Sequence, residues 1–409
     1  METKRRRAAK RAAAWAVGLG VAALAAWWAF DLWAERRLAE AADWYAEPPE
    51  AAVERAAGPD LGRLQAEAPA FEWSAGEREG LEALAAAAGR RWTPEERDVA
   101  RRLVAARQAE LSDLVRRLRG DRAPTPPGPR PAASRAGAAS AGVPENDQHL
   151  LRGSRLLATA ARLALEDGRP ERTVEGAEAL AALARAYEGR PDLYHQILAS
   201  SFEIRFLSLL ADLLASPDVR RGHLERLGDS LIARDPEDAV RRAVRGEGRI
   251  VLAALEDPDP GWAGGRVSAP CTELEVARVL DGYRELAETP GTDLHERPDA
   301  RARSGRRATL SAMLIPNIVE AVTKMRAMAA SRQLARLALA LRLAALDDGA
   351  YPARLASLPG AGEPDPFAGG RPRWEVGPEG AVLSNPAADA LWERVGRPAG
   401  PPFTWRLPA

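Results

Sequence analysis

Disulfide chemistry is the first thing this chain lacks. Its 409 residues hold one cysteine, Cys271, so neither an internal bridge nor a Cys-based zinc site can form. The four histidines, His149, His195, His223 and His295, are scattered without ligand spacing. The formal net charge is zero, which excludes nucleic acid as the main partner, because phosphate binding draws on a basic excess. Phosphate loops of GxxxxGK[ST] type are absent, as are HExxH, GxSxG and SxxK. No residue is therefore assigned a catalytic, cofactor-binding or metal-ligating role, and no cofactor is expected. Aromatics make up only 5%, and lysine is confined to Lys4, Lys10 and Lys324. Arginine supplies nearly every other cation, so an arginine cluster is weak grounds for a site.

What remains is rich in Ala and Leu, strong helix formers, and poor in β-branched residues. The expected fold class is mainly α: an N-terminal transmembrane helix, a helical-hairpin module, and a small α+β C-terminal tail with a short antiparallel hairpin. Ala12–Phe30 is a run of 19 uncharged residues, about 28 Å as a helix, close to the hydrocarbon thickness of a bilayer. Trp15, Leu19, Leu24, Trp27, Trp28 and Phe30 are its expected membrane-facing residues. Lys4, Arg5, Arg6, Arg7, Lys10 and Arg11 precede it and assign that end to the cytoplasm by the positive-inside rule. Ala23-Leu24-Ala25 offers a small-x-small cleavage site, but the apolar run continues past it, which favours an uncleaved anchor. The expected location is the inner membrane, single-pass, with the bulk outside the cytoplasm and the lipid bilayer as a partner. Ala16, Gly18, Gly20 and Ala22 give small-xxx-small spacing that could pair two anchors as a homodimer.

The chain divides by composition into a basic tail (1–11), the anchor (12–33) and a helical juxtamembrane region (34–120). A Pro/Ala-rich linker (121–144) follows, with six prolines and one large apolar residue, Val143. Such a segment cannot bury a core, so the flanking parts are expected to move independently. Next come an α-helical module (145–256), an irregular connection (257–308), and a long helix with the tail (309–409). Thr93-Pro94-Glu95-Glu96 predicts a helix start with a capping box. Within the module the punctuation predicts helices at His149–Glu166, Pro170–Glu188, Pro191–Ala215, Val219–Arg234 and Pro236–Leu255. A further helix is expected at Glu273–Leu286, and a long one over Leu310–Leu346, bent at Pro316.

In the tail, Gly349 permits a left-handed helix end, Tyr351 can cover the last turn and Pro352 stops the helix. Asp365-Pro366-Phe367 opens a turn, and Arg373–Val376 with Ala381–Leu383 read as a hairpin. From Leu314 to about Val376 this order of motifs resembles the helix-to-head region of bacterial pseudopilins, of the type II secretion and type IV pilus group. The whole chain also resembles uncharacterised bacterial membrane-anchored proteins with such a tail. The resemblance implies a borrowed head fold and secretion or pilus proteins of the envelope as partners. No prepilin signal precedes the helix, and no acidic loop of the calcium-binding kind follows the hairpin.

Glu203 stands on an apolar helix face with Ala199, Phe206, Leu207 and Leu210, whereas Arg205 shares a polar stripe with Ser201, Ser208 and Asp212. A carboxylate so placed should be paired or should shift its pKa. The expected answer is a buried ion pair with Arg245 or Arg249, taken to lie in a turn. The expected function is a non-catalytic scaffold or interaction module of the cell envelope; the alternative is a membrane-tethered hydrolase with its site near Glu203.

Overall fold

A computed structural model describes residues 2–46, 59–87, 90–119, 144–190, 192–231, 235–256, 269–289, 310–358, 360–394 and 401–409. These form thirteen helices and one three-stranded antiparallel sheet. The helices are α1 (Glu2–Ala46), α2 (Leu61–Glu67), α3 (Ala75–Ala86), α4 (Pro94–Ala106), α5 (Gln108–Leu118), α6 (Glu145–Glu166) and α7 (Pro170–Glu188). They continue as α8 (Leu193–Leu214), α9 (Arg221–Gly228), α10 (Pro236–Glu256), α11 (Ala269–Glu288), α12 (Leu310–Asp348) and α13 (Pro386–Arg394). The strands are β1 (Arg373–Gly377), β2 (Gly380–Ser384) and β3 (Thr404–Pro408), in the order β1-β2-β3.

Local chemistry sets many of these boundaries. Thr93 caps α4: its hydroxyl accepts from the Glu96 amide while the Glu96 carboxylate accepts from the Thr93 amide. Ser74 and Glu77 repeat the device at α3. Asn385 caps α13 through the Ala388 amide. The expected Val219–Arg234 helix is shorter, ending at Gly228. Residues 245–249 are no turn; they lie inside α10. The helix expected at Glu273–Leu286 within the connection is present as the 20-residue α11, a few residues longer at each end. The long helix expected over Leu310–Leu346 is present as α12, one element of 39 residues that runs through Pro316.

Two cores share one spine. The larger packs α2 to α9 with the second half of α12 and the C-terminal α/β unit. The smaller packs Ala41 and Tyr45 of α1 with α10, α11 and the first half of α12, where Ile318, Val322 and Met325 are buried. Residues from Ala327 to Leu341 of the same helix belong to the larger core. Segments expected to move independently about the linker are in fact joined. Leu114 and Phe71 pack with Leu150 in one core, and Arg162 of α6 donates to the carbonyl of Ala87 (3.1 Å) and to that of Arg90. The linker itself, residues 120–143, lies outside the described residues.

Among the described residues, no helix is long and apolar enough to cross a membrane, which departs from the expected transmembrane helix. Side chains are described from Ala22 onward. From there only nine residues precede Asp31, short of the roughly 20 a bilayer requires. Trp15, Leu19, Lys4, Arg5, Arg6, Arg7, Lys10 and Arg11 sit on the α1 backbone, with side chains outside the described set.

Candidate functional site

Glu203 stands at the meeting of α7, α8 and α12. Its two carboxylate oxygens accept from Nε and an Nη of Arg332, each at 2.6 Å. Glu188, at the end of α7, approaches the same guanidinium at 3.6 Å. The Glu203 and Arg332 side chains are each 13% exposed, and the Glu203 carboxylate holds the Arg332 guanidinium above its ordinary range despite the opposing cost of burial. The partner therefore comes from α12, and not from the arginines expected. Arg249 Nε donates to the Tyr45 carbonyl at 2.9 Å, and Arg245 lies over the Trp44 ring, 4.5 Å from its centroid. Helical spacing places Glu203 on an apolar face; it cannot reveal which distant arginine crosses that face. A cavity of about 20 Å³ beside the pair is lined by Ala184, Arg185, Glu188, Ser230 and Phe206. That is room for a single water.

A second cluster escaped the sequence reading. Asp147, in the first turn of α6, is buried, 1% exposed. It accepts from Gln65 Nε2 (2.7 Å), Tyr194 Oη (2.7 Å) and Tyr187 Oη. Burial first, then Asp147, push both phenols above their ordinary range, which keeps them protonated as donors. His195 packs against both rings, with centroids 5.8 Å from Tyr187 and 5.2 Å from Tyr194. Its Nδ1 lies 2.6 Å from the Asp192 carboxylate. Burial raises that carboxylate, but the bonds and charge of His195 outweigh it and hold Asp192 below its usual value. Asp192 also caps α8 through the His195 amide, at 3.0 Å.

This has the outline of an acid–base dyad without its third member. Among the described residues no hydroxyl or thiol hydrogen-bonds to His195, the place a nucleophile would take in such a dyad. The arrangement accounts instead for how α2, α6, α7 and α8 are tied at one end. The signal available in the sequence was Asp192-x-x-His195 at a helix start. Asp147 carried none, because its partners lie 40 to 82 residues away. Among the described residues, no group of three or more His, Cys, Asp or Glu side chains could hold a metal ion. Cys271 is exposed.

The remaining expected positions fall in two places. Leu24, Trp27 and Trp28 of α1 are exposed, at 70%, 41% and 66%, and Phe30 is half-buried. In the tail, Gly349 has φ 73°, and Tyr351 Oη accepts from Arg342 (3.1 Å) and donates to the Pro408 carbonyl (2.7 Å). Pro352 lends its carbonyl to Trp374 Nε1 at 2.8 Å. Asp365 accepts from the Phe367 amide at 2.6 Å and from Asn385 Nδ2, Pro366 is half-buried, and Phe367 is fully buried. These residues build one turn-and-sheet unit clamped to the end of α12. No family model matches the chain, nor does any curated protein or solved structure.

Proposed function

We propose that the chain is a membrane-tethered scaffold of the cell envelope, held by residues 12–33 with its N-terminus in the cytoplasm and its helical body outside. The observation that carries this reading is the state of α1. Every residue from Ala22 to Ala29 is exposed, so all faces of the helix are bare, including Leu24, Trp27 and Trp28. Five residues later Ala34 is fully buried, and the same unbroken helix packs into the smaller core. A helix apolar on all sides requires a non-aqueous surrounding, and the 19-residue uncharged run behind six cations supplies the length and the orientation.

Two observations support a scaffold over the hydrolase alternative. Glu203 is committed to Arg332 through both oxygens, and among the described residues no hydroxyl or thiol bonds to His195. The tail supports a pseudopilin-like head as its binding end: β1 lies at the sheet edge with Val376 52% exposed, and an open edge accepts a strand from a partner. Secretion or pilus proteins of the envelope are the partners this head implies.

Carbonate washing of membranes, combined with a reporter fused to the C-terminus, tests the reading. The full chain should stay in the pellet, and the reporter should be accessible only from outside the cytoplasm. Release by carbonate, or a reporter reached only from the cytosol, overturns it. Crosslinking from intact membranes should then recover envelope-assembly proteins.

A further inference from the structure

Helices α6 and α8 run parallel along one seam. Near its start Tyr194 Oη donates to Asp147 at 2.7 Å; near its end Arg162 Nε stands 3.3 Å from Asp212. Arg155 and Arg205 each precede that second pair by seven residues, two helical turns, and so lie on the same seam between the two contacts. Arg205 is half-buried and Arg155 exposed at the outer edge.

The middle of the seam differs from both ends in having no acid. Arg205 donates to the Ser201 carbonyl, one turn back on its own helix. Among the described residues no carboxylate bonds to Arg205 or Arg155. Elsewhere three sequestered guanidinium groups are answered by carboxylates, Glu203 for Arg332, Glu237 for Arg326 and Asp212 for Arg162, and a fourth, Arg342, bonds the Tyr351 hydroxyl. An unanswered charge in such a place is costly. Burial, and then the charge of Arg155, hold the Arg205 guanidinium down at about 10.

We propose that Arg155 and Arg205 form a binding site for one oxyanion group, a phosphate or a carboxylate, in the α6–α8 seam. The donors are the guanidinium N–H groups alone. The neighbouring hydroxyls of Ser201, Ser208 and Thr159 already donate to the carbonyls of Ile197, Ile204 and Arg155. That donor set favours planar or tetrahedral oxyanions, which guanidinium forks match, over chloride.

Calorimetric titration of the full chain at constant ionic strength tests this. The probes are inorganic phosphate, acetate and a blocked glutamate, with chloride as control. Saturable binding of at least one oxyanion is expected, weakened about tenfold or more in Arg205→Gln and in Arg155→Gln, as suits the loss of a charge-assisted hydrogen bond. Tighter binding of phosphate or acetate identifies a free small anion as the occupant, and tighter binding of blocked glutamate identifies an acidic side chain. Should Arg205→Gln fail to fold, the exposed Arg155→Gln carries the test, because a surface substitution leaves the fold intact. No saturable heat with any oxyanion, or unchanged affinity in Arg155→Gln, overturns the proposal.

Discussion

Arg332 shows what a single side chain does here. It brings α12 against α7 and α8 through Glu188 and Glu203. Removing it leaves the Glu203 carboxylate without its cation in a largely buried contact, and breaking a buried pair costs about 3–5 kcal/mol. Arg332→Ala should therefore lose about that much in denaturant unfolding. Arg332→Met with Glu203→Leu should recover most of it, because an apolar pair of similar volume avoids the desolvation cost. Glu247 is the opposite case. Burial, followed by the charge of Asp192, raises its carboxyl above the ordinary range, against a bond from the Leu193 amide. A folded pKa above the unfolded one means the native state holds its proton longer. The contribution to stability is then full below the ordinary carboxylate range and is lost as pH rises through the folded value. Glu247→Gln should raise the melting temperature near neutral pH, and the gain should vanish in acid. A gain that persisted below pH 4 would point to packing instead of charge.

At the scale of elements, the joint between α1 and α10 is set by a missing side chain. A Cβ on Gly248 would collide with the Tyr45 ring, whose hydroxyl donates to the Leu280 carbonyl at 2.5 Å. Gly248→Ala must displace Tyr45, and overpacking of this kind costs about 1–3 kcal/mol. Hydrogen exchange should show the loss concentrated in residues 34–46 and α11, with α6 to α8 spared. Exchange unchanged in α1 would show that the ring has room to move. The helix starts were legible from the chain because a capping box is a local interaction, as at Thr93 and Glu96. The end of α9 and the strand β3 were not. Thr404–Pro408 becomes a strand only by pairing with Gly380–Ser384, and no neighbouring residue announces that pairing.

For the whole molecule, the division of labour along α1 makes a clear expectation. Ala22–Ala29 are exposed, whereas the positions buried in the body run from Ala34 to Tyr45; on the proposed reading the part of α1 before Asp31 serves the tether. A chain beginning at Asp31 should unfold with the same midpoint and the same denaturant slope as the full chain, since the slope tracks the surface buried. A lowered midpoint would mean the N-terminal half of α1 packs on the body. The two cores meet on α12, whose first half belongs to one and second half to the other. Damage at Met325 or Ala327 should consequently be felt on both sides.

The amino-acid sequence by itself determined the helical class, the capped helix starts, the Gly349–Pro352 helix end and the apolar placing of Glu203. All of these follow from interactions within about one or two helical turns, where spacing along the chain equals spacing on a surface. Only the tertiary structure decided that Arg332 answers Glu203, that Asp147 gathers two tyrosines and a glutamine, and that segments flanking residues 120–143 share a core. Those contacts join residues from 40 to 129 positions apart. Which arginine reaches which acid depends on how helices cross, and a periodicity fixes the face that is buried but not the helix laid against it.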